Sequence, residues 1–364
     1  MADPTVEMAW FAALCDDDYE LLGRPDPALA SSWTHCRNIV LAAEEGGFDN
    51  VLLPSGYALG IDSTAFAAAV APLTSTIRLL LAVRVGELVV PQLARQLATV
   101  DQISGGRLTV NVISSDVPGE RPLPSDARYR RTLETMAVLR DLMDGRGVSF
   151  RGEFVRAEVD PPRIRTVSGR CPPFYFGGLS DDAKACAAAG ADVYLMWPDT
   201  VPAVRDVVAD VSERARQRGR RVRFGWRSHV IVRDSEEEAR AAARRLVSAL
   251  DDTEGARIRS RSLDAASVGV RRQAELREVA DDEGYADRHL WTGVGRARSG
   301  AGAAIVGDPD QVSARIGELR EAGIDAFILS GYPHLAECDL FARHVLPLVA
   351  HAPLVVTGDP VALS

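Results

Sequence analysis

The chain has 364 residues, 46% hydrophobic and 26% charged, with a formal net charge of −9. This is the composition of a soluble globular protein with a large core, and its acidity counts against nucleic acid or an anionic membrane as the main partner. The five cysteines (Cys15, Cys36, Cys171, Cys186, Cys338) show no CxxC and no metal spacing, no apolar run is long enough to cross a bilayer, and no basic-then-apolar leader opens the chain, so a reducing cytoplasmic setting without metal or membrane is expected.

Short apolar runs alternate with longer amphipathic stretches. "EMAWFAAL" (Glu7 to Leu14) reads as a strand, and "HCRNIVLAAEEGG" as a helix stopped by Gly46 and Gly47. "NVLLP" is a strand, "STAFAAAVAPL" a helix and "RLLLAVR" a strand. "PQLARQLATVDQISGG" is a helix with Pro91 at its start and Gly105–Gly106 at its end. "LTVNVIS" is the fourth strand. A polar, Pro/Gly-rich loop follows at 115–126, then a helix from Ala127 to Met143 and a small hairpin at 148–160. "PFYFGG", "DVYLMW", "RFGWRSHVIV" and "AFILSG" are four more strands. Helices are expected near Asp181–Ala189, Val201–Arg218, Glu236–Leu250 and His334–Leu348. Eight short strands, apolar on both faces and separated by helices, predict an α/β fold: one (β/α)8 TIM barrel in a single domain. The polar, Arg-rich segment 251–300 interrupts the rhythm and is expected to be a mobile lid.

Inside "GWRSHVIVRDS", Arg227 and His229 stand two residues apart, on the same face of a strand. Charged groups are tolerated in a barrel near the C-terminal mouth, where active sites form. Other polar residues should collect there: Asn111, Ser114 and Ser115 after the fourth strand, Gly177, Gly178 and Ser180 after the fifth, Trp197 after the sixth, Tyr332 and His334 after the eighth. The glycines of "FGGLSDDA" would let an anion approach the N-terminus of the next helix. A phosphorylated cofactor or an anionic substrate is therefore expected. By residue type alone, Arg227 and His229 also read as a buried structural pair, Arg298 as a solvated arginine, Trp197 as rim packing and Cys15 as an inert thiol.

Four long blocks, "RFGWRSHVIVRDSEEEA", "FYFGGLSDDAKACAAAGADVYLMW", "LWTGVGRARSGAGAAIVGDP" and "GIDAFILSGYPHL", occur in this order. In them the chain resembles the bacterial luciferase-like monooxygenases, and among these the reduced-FMN-dependent alkanesulfonate monooxygenases. The resemblance implies a two-component enzyme that takes reduced FMN as co-substrate from a separate NAD(P)H:FMN reductase and uses O2. It implies attack on a small anionic substrate through a flavin peroxide, releasing an aldehyde and sulfite from an alkanesulfonate. It implies catalytic roles for Arg227, His229, Arg298 and Tyr332, and cofactor contacts from Asn111, Ser114, Gly177, Gly178, Ser180 and Trp197. A homo-oligomer, dimer or tetramer, is expected. Two departures concern the substrate side. Cys15 in "WFAALCDD" stands where those enzymes carry a histidine, and "LPSGYALGIDS" lacks their cysteine. The same fold also serves oxygenation of a sulfone, an amine or a specialised metabolite, deazaflavin-dependent hydride transfer, or flavin binding without catalysis. No glycine-rich dinucleotide fingerprint follows a strand, so no NAD(P)H site is expected.

Overall fold

The computed structural model describes residues 5–56, 60–117, 119–260, 267–298, 300–356 and 358–363. In chain order the strands are β1 (Glu7–Phe11), β2 (Asn50–Leu53), β3 (Arg78–Arg84), β4 (Leu108–Ile113), β5 (Val148–Arg151), β6 (Arg156–Val159), β7 (Phe174–Gly177), β8 (Val193–Met196), β9 (Arg223–Val232), β10 (Leu290–Trp291), β11 (Ala304–Gly307) and β12 (Ala326–Ser330). The helices are α1 (Trp33–Glu45), α2 (Ser63–Val70), α3 (Val90–Ser104), α4 (Ser125–Met143), α5 (Asp181–Gly190), α6 (Val201–Arg216), α7 (Glu236–Leu246), α8 (Asp252–Ser260), α9 (Val268–Glu278), α10 (Pro309–Glu321) and α11 (His334–His344). The main sheet runs β10-β11-β9-β12-β1-β2-β3-β4-β7-β8, and β8 also pairs with β9, so eight parallel strands form the closed ring of a (β/α)8 barrel.

The helices begin where side-chain oxygens cap them. Ser32, Asp62, Ser180, Ser235, Ser267 and Asp308 each accept from a backbone N–H in the first turn. At α3, Pro91 sits in the first turn and Gly105 closes the helix at φ 69°, a left-handed conformation suited to glycine.

The chain falls into two compact units. One comprises Met1–Ile61, Met196–Val208 and Phe224–Leu354; the other comprises Asp62–Leu195, Ala209–Arg223 and Val355–Ser364. In the first, β1 pairs in parallel with β2 and β12, and β12 with β9. In the second, β3 pairs with β4, β4 with β7 and β7 with β8, all in parallel, while β5 and β6 form an antiparallel pair.

Segment 251–300 has regular elements of its own. Residues 261–266 and 299 lie outside the described residues. The rest contains α8, α9 and β10, and β10 pairs antiparallel with β11. Tyr285, Trp291, Val294 and Ala297 are buried in one cluster with Leu22 and with Ala239, Ala243 and Leu246 of α7. The apolar residues are concentrated in the second half of the segment, and averaging over its Arg-rich first half hides them.

Candidate active site

In the first unit, β9 places Arg227 and His229. The register pairs Ile328 of β12 with Arg227 and Ser330 with His229. His229 also pairs with Ala304 of β11, so at this residue β9 is paired along both edges. Ser330 ties the two side chains together. Arg227 Nη2 donates to Ser330 Oγ at 2.8 Å, and Ser330 Oγ lies 2.8 Å from His229 Nδ1. A hydroxyl has one hydrogen, and Ser330 already accepts from the guanidinium. In the tautomer that accepts this hydrogen at Nδ1, the neutral imidazole carries its own proton on Nε2.

Arg227 is 6% exposed. It also donates to the Ser228 carbonyl and lies over the Phe11 ring, 4.4 Å from its centre. None of these partners is a carboxylate. Burial, and then Arg298 nearby, pull its pKa down to about 9, against opposition from Tyr332 and Asp17. It is still a cation at neutral pH. His229 is held well below its ordinary value, by burial first and then by Arg227, Arg298 and His334, while a backbone contact at Ala301 works the other way. The imidazole is therefore neutral near pH 7. It offers an N–H, and it is not a reservoir of acid. Its Nε2 is buried without a well-formed hydrogen bond.

Tyr332 stacks on His229 with ring centres 5.0 Å apart. Arg298 Nη1 donates to Tyr332 Oη at 2.6 Å and to Asp17 Oδ2 at 2.6 Å. Burial raises the Tyr332 phenol above its ordinary range, and Arg298 opposes this only in part. Burial would lower Arg298, but Tyr332 and Asp17 outweigh it and hold the guanidinium above its usual value. The four catalytic candidates thus stand together in one unit.

The sequence reading missed their supports. Asp18 is buried; its Oδ1 accepts from the His334 backbone N–H at 2.9 Å and stands 2.9 Å from His334 Nδ1, while its Oδ2 is 2.8 Å from His35 Nε2. Burial pushes the Asp18 carboxyl up, but the His334 and His35 contacts prevail and leave it below the usual range. A run of three aspartates reads as a solvated loop, so nothing in "CDDDYE" announced this. Cys15 is partly buried beside Gly56, whose added Cβ would stand 3.0 Å from the sulfur. Residues 57–59 of the neighbouring loop lie outside the described residues.

Trp197 lies against Gly269 of α9 and Gly300. A Cβ on Gly269 of α9 would come within 2.7 Å of its ring, and one on Gly300 within 3.5 Å. Arg272 of α9 bonds both oxygens of Asp199 at 2.7 and 2.9 Å, and Gln273 donates to the Pro198 carbonyl at 2.7 Å. Trp197 thus serves as the floor on which α9 rests.

In the second unit the remaining candidates collect around β4, β7 and α5. Asn111 is on β4, paired with Tyr175 of β7. Ser114 Oγ accepts from Thr132 Oγ1 of α4 at 2.8 Å. Gly177 ends β7, and Gly178 has φ 151° with its carbonyl accepting from Tyr194 Oη at 2.7 Å. A Cβ at Gly178 would meet the Ala183 Cβ at 2.7 Å and Tyr129 Oη at 3.2 Å. Only glycine fits against these neighbours, and Gly178 leads into the N-terminus of α5. Ser180 is the N-cap of α5 and accepts from Ala183 N at 3.2 Å. Among the described residues, no group of three or more His, Cys, Asp or Glu is placed to hold a metal ion.

The model of one family, described as luciferase-like monooxygenase, matches residues 18–326. The chain belongs to this family. It is an enzyme, a flavin-dependent monooxygenase. Among its relatives, a sulfoquinovose monooxygenase of Novosphingobium aromaticivorans is 60% identical over 361 residues, 97% of this chain and 99% of the relative. Another, of Agrobacterium fabrum, is 48% identical over 344 residues, covering 94% and 89%. Two solved structures share the fold. A riboflavin lyase with modified FMN and riboflavin superposes with TM-score 0.80 at 17% identity, covering 99% of this chain and 94% of its own. DmoA from Hyphomicrobium sulfonivorans does so with TM-score 0.77 at 18% identity, covering 99% and 91%. In this luciferase-like monooxygenase, Arg227 of β9 and Arg298, just after the Gly293–Arg296 turn, form a pair of largely buried cations.

Proposed function

We propose that this flavin-dependent monooxygenase oxygenates a sulfonated sugar of the sulfoquinovose type and releases its sulfur as sulfite. The observation that carries the reading is Arg227: a buried cation whose hydrogen-bond partners, Ser330 and the Ser228 carbonyl, are neutral. A buried charge of this kind calls for an anion from outside the chain. A sulfonate, planar-faced and permanently charged, matches the guanidinium fork. The names of the two relatives agree with it.

The residues present fit reduced FMN. Ser180 caps α5 just after Gly177–Gly178, and the backbone N–H groups of this helix N-terminus suit a phosphate. When bound, reduced FMN would supply the two electrons with which O2 is split between product and water. In the balanced reaction, one oxygen atom becomes the aldehyde oxygen on the carbon that bore the sulfonate. The other leaves as water, and sulfur departs as sulfite.

The chain's own groups serve the other needs. Arg227 and Arg298 hold the sulfonate. His229 offers the Nε2 hydrogen, and Tyr332, which already accepts from Arg298, keeps a hydroxyl proton to donate. Both protons stay in place at neutral pH, because burial holds the imidazole neutral and the phenol undissociated. Burial of Arg227, His229 and Tyr332 keeps water away. We assign segment 251–300 the role of cover, with Trp197 as its seat. A separate NAD(P)H:FMN reductase, a cytoplasmic location and a homo-oligomer belong to the same reading. The test is sulfite release under oxygen with chemically reduced FMN, across sulfoquinovose, octanesulfonate and dimethyl sulfone. Sulfoquinovose should give the largest kcat/KM. Turnover of the sulfone alone, or reduction with a deazaflavin and no sulfite, would overturn the proposal.

A further inference from the structure

Arg227 and Arg298 lie over the same phenyl ring, 4.4 and 5.5 Å from the centre of Phe11. Two guanidinium groups this close repel, and Arg298 is the second cause of the lowered pKa of Arg227. One carboxylate offsets the repulsion: Asp17, whose Oδ2 accepts from Arg298 Nη1 at 2.6 Å. Both side chains are largely buried, 18% exposed for Arg298 and 19% for Asp17, so solvent screens the pair weakly.

The two partners sit on segments of different character. Asp17 stands on a tightly fixed loop. Next to it, Asp16 takes φ 55°, and it and Ser31 exchange hydrogen bonds: Asp16 N donates to Ser31 Oγ at 2.7 Å, and Ser31 N to Asp16 Oδ1 at 3.0 Å. On its other side Asp18 is bound to the His334 backbone and to His35, and Tyr19 sets its ring edge against Tyr332. Further along, Leu22 N donates to the Leu246 carbonyl at 2.8 Å. Arg298 instead follows the short turn Gly293–Arg296. Beyond its bonds to Asp17 and Tyr332, the described contact holding its guanidinium is the Phe11 ring.

We propose that Asp17 is a positioning residue. It is the fixed counter-ion that draws Arg298, on the segment 290–298, into place beside Tyr332 and Arg227 before any anionic substrate arrives. The carboxylate makes it possible for a second cation to sit in a site that already holds Arg227. The proposal rests on the reading of Arg298 as a substrate-facing group. Its placement is measured without substrate, so the two fail separately.

The experiment is hydrogen–deuterium exchange of the substrate-free full chain, in the wild type, Asp17→Asn, Arg298→Gln and the double variant. Asp17→Asn keeps the shape and removes the charge. Amides of residues 293–298 should then exchange about tenfold faster, the size of a typical coupling between contacting charges. Amides of α5, in the other unit, should not change. Asp17→Asn should add nothing in the Arg298→Gln background, and Asp17→Glu, which keeps the charge, should stay nearer the wild type than Asp17→Asn does. As a second readout, sulfite formed per reduced flavin should fall in Asp17→Asn. Unchanged exchange at 293–298, acceleration spread over the whole chain, or additive effects in the double variant would each overturn the proposal. If sulfite never forms yet the exchange pattern holds, the substrate reading fails and the positioning role of Asp17 stands.

Discussion

Replacing Arg227 by glutamine should strengthen the fold while disabling the site. The fall of the Arg227 pKa to about 9 corresponds to roughly 4–5 kcal/mol of native-state penalty, taken as a ceiling, at 1.36 kcal/mol per pH unit. Against this stand the hydrogen bonds to Ser330 and Ser228, about 1 kcal/mol each, and the Phe11 contact, about 1–2 kcal/mol. Glutamine keeps part of both. The net expectation is a variant about 1–2 kcal/mol more stable than wild type at pH 7. The pH dependence follows from the sign. A cation with a lowered folded-state pKa is disfavoured by the fold wherever it is protonated. The penalty is thus complete below about pH 9 and fades as pH rises toward the ordinary arginine value. Urea unfolding at pH 7 and pH 10 measures both: the advantage of Arg227→Gln should shrink at the higher pH. Methanesulfonate binding, measured by calorimetry, should weaken about 100-fold in the variant, the loss of a charge-assisted pair. In the wild type it should hold steady to about pH 8 and fall about tenfold per unit above pH 9. A variant that is clearly less stable and binds methanesulfonate as well as wild type would refute this reasoning and make Arg227 a structural residue.

Ser330→Ala removes the hydroxyl between Arg227 and His229, and should cost about 1–3 kcal/mol. It should also release the His229 tautomer, seen as a change in the imidazole 15N shifts; unchanged shifts would contradict the assigned Nε2 proton. Gly269→Ala sets a methyl against the Trp197 ring, and should loosen α9 at a cost of about 1–3 kcal/mol with more hydrogen peroxide formed per turnover. Wild-type stability and coupling would show that α9 does not rest on Trp197. The protein should bind reduced FMN better than oxidised FMN and hold no NADPH, and stoichiometric NADPH binding by calorimetry would contradict the two-component reading.

The barrel was legible because each of its eight parallel strands is a short apolar run between helices, and buried strands need that pattern whatever their function. Arg227 and His229 were legible from their spacing, since period two puts them on one face. Ser330 was not, because its role exists only in the register between β9 and β12. Asp17 and Asp18 were hidden for a different reason. Three adjacent aspartates look like a solvated turn, and their partners Arg298 and His334 lie more than 250 residues away in the chain. Strand β11 and helix α10 went unread because the Arg-rich stretch before them obscured the end of the insertion. The role of His229 also needed the structure: a histidine invites the idea of an acid at neutral pH, but burial beside two guanidinium groups leaves it neutral.

The central claim is oxygen-dependent cleavage of a carbon–sulfur bond at the Arg227 cluster. A single turnover tests it most directly: anaerobic enzyme loaded with reduced FMN and sulfoquinovose is mixed with oxygen, and sulfite is counted. The account predicts about one sulfite per reduced flavin, none without oxygen, and nearly none in Arg227→Gln. Sulfite formed without oxygen, or oxidised flavin and hydrogen peroxide with no sulfite from the wild type, would contradict it.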